Sequence, residues 1–245
     1  MDKEAFEITE ELTRRKIQKR KEQRQKQLLL YIAVCSSVII ILFISMVAIL
    51  GMLHVKSTAE NKEPEETPSY YIKTPPTIDE QILPLNPYSR PGIVLEKVEG
   101  IVIHYTGNPN TTAQQNHDYF EGLAESGKTS VSSHYIIGLE GEIIQCVPLD
   151  EIAYASNERN IDTISIECCI DNEEGWFNKK TYQSLVELTA WLMGQYDLST
   201  TDVIRHYDVT GKECPKYFVE YESAWEDFKI DIIQFIDKNG VKRTQ

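Results

Sequence analysis

Leu28 to Leu53 is a run of 26 residues, apolar almost throughout and broken only by the small or weakly polar Cys35, Ser36, Ser37, Ser45 and Gly51. As a helix, about 20 such residues span a bilayer. A buried core helix is rarely apolar on every side over this length. The apolar core of a cleaved secretory signal is shorter, about 7 to 15 residues. The run therefore predicts one retained transmembrane helix, 28–53, which contacts the lipid bilayer and divides the chain into two parts with different surroundings.

The flanks give it a direction. Arg14 to Lys26 carries eight basic residues and one acid, whereas only Lys56 and Lys62 are basic just beyond the run. The positive-inside rule places a basic segment, 1–27, in the cytoplasm and the long C-terminal part outside the cell membrane. Residues 1–27 sum to +3 and the whole chain to −13, leaving −16 for 28–245. So acidic an outer part excludes nucleic acid as a partner, and the basic segment suits anionic lipid headgroups.

Residues 54–84 are rich in Pro, Glu, Thr and Ser, as in Glu63-Pro-Glu-Glu-Thr-Pro68 and Thr74-Pro-Pro-Thr77. That composition predicts an extended linker, reaching on the order of 90 Å if fully drawn out. The rest, 85–237 with a short tail 238–245, is long enough for one domain with its own core. Strand patterns fall at Val98–Tyr105, Val131–Gly138, Glu142–Val147, Thr163–Ile170 and Val203–His206. Helical periodicity falls at Thr112–Glu125, Lys179–Tyr196 and Tyr221–Lys238, the last with a stripe of Trp225, Phe228, Ile232 and Phe235. The expected fold class is α/β, a mixed central β-sheet flanked by helices.

Two segments carry chemistry: Ile101-Val-Ile-His-Tyr-Thr-Gly107 and His206-Tyr-Asp-Val-Thr-Gly-Lys-Glu-Cys-Pro215. His104 and His206 each close an apolar run, and Cys214 lies in a loop containing Gly and Pro. Imidazole and thiolate are zinc donors, and a catalytic zinc takes three protein ligands so that a fourth position stays open. Spacing alone leaves this open against the plainer reading, a hydrogen-bonded core histidine and an ordinary loop cysteine. In Thr163 to Ile170 the alternation puts Ile164, Ile166, Cys168 and Ile170 on one face and Glu167 on the other. His117 reads as core or groove lining.

With Ser132-Ser-His-Tyr-Ile-Ile137 and Thr163-Ile-Ser-Ile-Glu-Cys168 in the same order and spacing, these segments resemble the zinc-dependent N-acetylmuramoyl-L-alanine amidases. That T7 lysozyme-like family is related in fold to the peptidoglycan recognition proteins. The resemblance covers roughly 150 of the 245 residues, from about Asn86 to Ile236. It implies a bacterial peptidoglycan hydrolase that cleaves the amide between N-acetylmuramic acid and the L-alanine of the stem peptide. It also implies Zn2+ on His104, His206 and Cys214, a water activated by that ion, Glu167 as general base and then acid, and Lys212 at the oxyanion. Asn157, in Tyr154-Ala-Ser-Asn157, is a candidate contact to the muramyl peptide, with an ordinary turn asparagine as the alternative.

One departure stands out. Relatives often carry a tyrosine where this chain has Ser133, which is too short for the same reach; Tyr135 and His134 are the nearest substitutes, and His134 is a weak substrate-binding candidate. Cys146, Cys168 and Cys169 are expected to be buried thiols, although Cys146 and Cys168 could approach on neighbouring strands. The competing reading of the whole is a non-catalytic, membrane-tethered sensor of muropeptides. It has no use for a thiolate at Cys214 or a carboxylate at Glu167.

Overall fold

The computed structural model describes residues 68–243. The expected cytoplasmic segment, the transmembrane run and the first part of the linker lie outside the described residues. Among the described residues no helix is long and apolar enough to cross a membrane.

The strands are β1 (Tyr70–Tyr71), β2 (Asp79–Glu80), β3 (Gly100–Tyr105), β4 (Tyr135–Ile137), β5 (Ile143–Gln145), β6 (Thr163–Cys168), β7 (Val203–Arg205) and β8 (Val241–Lys242). Six of them form a mixed sheet in the order β2-β5-β4-β6-β3-β7. β4, β6, β3 and β7 run parallel, β5 is antiparallel to β4, and β2 is parallel to β5. The helices are α1 (Ala113–Ser126), α2 (Lys179–Tyr196), α3 (His206–Thr210), α4 (Lys216–Glu220) and α5 (Glu222–Asn239). Thr112 caps α1 in a reciprocal box with Gln115, and the Asn178 side chain accepts from the backbone of Lys180 and Thr181 to start α2.

The two faces of the sheet are covered differently. Ile101, Ile103, Ile164 and Ile166 point into one cluster with Leu185, Leu188 and Leu192 of α2 and Trp225, Phe228, Ile232 and Ile236 of α5. Each such side chain contributes about 1.5–3 kcal/mol on burial. The periodicity of α5 is thus as expected, with Ile236 fully buried and Phe235 only partly so. The opposite face is apolar under α1, where Ala113 and Phe120 meet Ile136, Ile144 and Cys146. Toward β3, that face also carries Ser165, His104 and Glu167.

Two expectations need correction. Residues 68–84 belong to the folded domain: Leu83 is fully buried, Ile72 packs in the main core, and β2 joins the sheet edge. Gly194 on α2 permits this, since a Cβ there would meet the Ile72 carbonyl at 3.2 Å. The tail is also structured, with β8 pairing β1 and Arg243 bonded to the Pro68 carbonyl. Composition averages over a segment, whereas a single Leu in a matching slot is enough to anchor it. The strand expected over 131–138 shrinks to β4, because Val131 and Ser132 donate their amides to the carbonyls of Tyr88 and Tyr154. The described cysteines are buried free thiols, as expected, with Cys146 and Cys168 in clusters on opposite faces of the sheet.

Candidate active site

Strand alternation builds the first half of the site. Because Ile101 and Ile103 face α2 and α5, His104 must face the other way; by the same count Glu167 follows Ile166 onto that face. The β3–β6 register then sets His104 directly beside Glu167. The two side chains approach to 4.0 Å, Nδ1 to Oε2, with His104 buried.

The second half comes from the turn after β7. His206, expected to end that strand, is instead the first residue of α3. The preceding Arg205 fixes this junction: its guanidinium binds Asp208 and Glu222 and donates to the Phe218 carbonyl, while its amide donates to Asp208. Gly211, at φ 75°, ends α3 in the left-handed region. The chain then doubles back, and the amide of Tyr207 donates to the Cys214 carbonyl at 2.9 Å. Cys214 is thereby delivered to the two imidazoles.

The rings of His104 and His206 lie 4.7 Å apart between centroids, and Cys214 Sγ is 3.9 Å from His104 Nδ1. One donor atom from each of the three residues falls within 4.8 Å of the others. Tetrahedral zinc holds such atoms roughly 3.3–3.6 Å apart, so a small contraction completes the geometry. The distal nitrogens are occupied: His104 Nε2 lies 3.1 Å from Ser156 Oγ, and His206 Nε2 lies 3.1 Å from Asn157 Oδ1. His206 Nδ1 is buried without a hydrogen-bond partner.

The electrostatics suit a cation. Burial holds His104 well below the usual histidine range, reinforced by His206 and Lys212; burial and then Lys212 lower His206. Both are neutral imidazoles with lone pairs to give. Burial and the nearby Glu167 push the Cys214 thiol up to about 12, against a hydrogen bond from the Tyr105 backbone and the charge of Lys212. A thiol so placed ionises when a metal ion supplies the missing positive charge. The donor set and the orphaned His206 nitrogen therefore fit zinc. Glu167 is pushed up to about 7 by burial, with Lys212 opposing. Lys212 itself is exposed on the loop before Cys214.

Other expected residues fall elsewhere. His134 is interior, with both ring nitrogens engaged: Nδ1 accepts from the Ser165 amide at 3.0 Å, leaving Nε2–H to donate to the Glu151 carbonyl at 2.9 Å. Ser133 is buried with its hydroxyl 3.0 Å from the carbonyls of Tyr135 and Ser165. Tyr135 points into the main core. Neither stand-in for the missing tyrosine reaches the site. Asn157 is exposed, and its side-chain oxygen is engaged by His206. His117 lies on the buried side of α1 with Nε2 on the Gln81 carbonyl at 2.7 Å. Ser156 went unnoticed in the sequence, because nothing local to a serine announces a partner 52 residues away.

A mixed α/β sheet carries a buried His/His/Cys set able to hold a metal ion, beside a glutamate. Residues 95–217 match the model of the N-acetylmuramoyl-L-alanine amidase family, and this chain belongs to that family. It is 34% identical over 173 residues to the N-acetylmuramoyl-L-alanine amidase CwlL of Bacillus licheniformis, covering 65% of this chain and 48% of that protein. It is 29% identical over 168 residues to BlyA of Bacillus subtilis strain 168, covering 60% and 44%. The chain thus spans about half the length of the curated relatives it matches. The solved catalytic domain of XlyA superposes with a TM-score of 0.54 at 27% identity, covering 64% of this chain and 99% of that one.

Proposed function

We propose that this chain is a zinc-dependent peptidoglycan amidase, hydrolysing the bond between N-acetylmuramic acid and the L-alanine of the stem peptide. The observation that carries the reading is the buried His104, His206 and Cys214 donor set with Glu167 at 4.0 Å from His104. Those three side chains would hold the ion. When bound, zinc supplies a Lewis acid for the scissile carbonyl and lowers the pKa of a water to roughly 7. Glu167, already held near neutrality by burial, takes the proton from the attacking water and returns it to the departing alanine nitrogen. Lys212 places its ammonium toward the negative charge developing on the carbonyl oxygen. The buried floor of the site, from Val102 to Ser165, excludes competing water from beneath.

Residues 28–53 tether this domain to the outer side of the cell membrane, in our reading, with residues 1–27 in the cytoplasm. The test is to incubate the full-length chain, zinc-loaded in detergent, with a defined muramyl peptide and to follow the products by mass spectrometry. Release of a peptide with a free alanine amine, abolished in Glu167→Ala, is the expected result. An uncut peptide bound to a zinc-loaded chain would favour the tethered sensor. Release of the chain from membranes by alkaline carbonate would refute the anchor.

A further inference from the structure

We propose that Ser156 and Asn157 are a pair of positioning residues that hold both metal-binding imidazoles by Nε2, Asn157 also fixing the tautomer of His206, so that both present Nδ1 to the ion. The proposal rests on the zinc reading and extends it to residues that touch neither ion nor substrate.

The argument starts from the nitrogen inventory. An amide oxygen only accepts, so the 3.1 Å contact of Asn157 Oδ1 with His206 Nε2 requires a proton on that nitrogen. A neutral ring then carries a lone pair at Nδ1, the buried atom with no hydrogen-bond partner. The opposite assignment, with the amide reversed and the proton on Nδ1, would bury a donor facing nothing, which is unfavourable. At His104, Nε2 meets Ser156 Oγ at 3.1 Å, a hydroxyl able to donate or accept, while Nδ1 faces Cys214 Sγ at 3.9 Å; an ion held at Nδ1 leaves the proton on Nε2 and makes Ser156 its acceptor. Ser156 is itself 1% exposed, so water does not compete for its hydroxyl.

Consecutive residues in an extended chain point to opposite sides, yet here two neighbours reach two rings that lie side by side. The backbone explains it. Asn157 sits at φ 53°, a left-handed conformation that asparagine tolerates better than most residues. The Asn160 side chain accepts from the amides of Ala155 and Ser156, at 3.0 and 2.6 Å, and so holds the turn from behind. Partners of this kind on the far nitrogen orient a ligand and raise its basicity.

The test uses the full-length chain and reads zinc affinity by chelator competition, alongside the NMR signals of the imidazole Nε2 protons. Asn157→Gly keeps the left-handed backbone and removes the acceptor. It should weaken zinc binding about tenfold or more, as should Ser156→Ala. Asn157→Asp retains an acceptor and should restore affinity to within about threefold of the parent. In the metal-loaded parent both Nε2 protons should be slowly exchanging, and the His206 signal should be lost in Asn157→Gly. Affinities within twofold of the parent for both Asn157→Gly and Ser156→Ala would overturn the proposal. A parent chain that binds no zinc would instead overturn the zinc reading on which it rests.

Discussion

Two seams of one sheet face bury a histidine each, and they do opposite things with it. At the β4–β6 seam, His134 has a protein partner on each nitrogen and is closed off, 1% exposed, with its pKa lowered to about 4 by burial. At the β6–β3 seam, His104 Nε2 meets Ser156, and its Nδ1 faces Cys214 and Glu167, both of them groups of the site, beside the His206 ring. Burial and residue type are the same. What separates a structural imidazole from a ligand is the nitrogen left over, and that is decided by which strand or loop lies beyond it. The closed seam lies beside α1; the open one lies past its end, under the loop that carries Lys212 and Cys214.

The sharpest way to break the contrast is to remove a donor from the open seam. His206→Ala or Cys214→Ser should cost at least ~10³ in zinc affinity and reduce amide hydrolysis to background, measured by chelator competition and product mass spectrometry, with the far-ultraviolet circular dichroism unchanged. Glu167→Gln should leave zinc in place and lower kcat by ~10²–10⁴.

The same variant tests the electrostatics without metal. The pKa of Glu167 is raised from 4.5 to about 7, so the folded chain binds more protons than the unfolded one between those values. Parent stability should therefore fall as pH rises through that window. Above it, Glu167→Gln should be the more stable, by on the order of 2 kcal/mol in urea titrations, and the advantage should vanish below about pH 4.5.

In the closed seam, His134→Ala should cost about 3 kcal/mol of stability, by leaving the Ser165 amide and the Glu151 carbonyl unpaired, while zinc affinity changes less than twofold. His134 runs opposite to Glu167 in sign. Its folded pKa of about 4 lies below the usual 6.5, so the unfolded chain binds more protons between them. Parent stability drops as pH falls through that range, and the variant should show a shallower acid limb. The smallest effect is expected at Lys212, which is exposed. Lys212→Ala should lower kcat about tenfold. It should also move the acid limb of kcat/KM to higher pH, since this charge opposes the raised pKa of Glu167.

The main elements were legible because their signals are local. Alternation in Thr163–Cys168 put Glu167 on the face away from the isoleucines, and the 3.6-residue stripe of Trp225, Phe228 and Ile232 set the buried side of α5. His104, His206 and Cys214 were legible as donors through residue type and through their resemblance to a family pattern. The errors lie where a particular partner, distant or near, overrides the pattern of the segment. Ile72 and Leu83 were read as linker, and His206 was given to a strand that in fact stops at Arg205 because Asp208 caps the next turn.

By itself, then, the sequence determined the alternating strands, the amphipathic helices and the set of groups able to bind metal, since all of these follow from side-chain type and period. Only the tertiary structure decided which nitrogen of each histidine is free, that His134 is sealed, and that Ser156 and Asn157 meet the two rings. Those outcomes depend on hydrogen bonds between residues up to 52 positions apart, and no local propensity encodes a partner that distant until the sheet has brought it within reach.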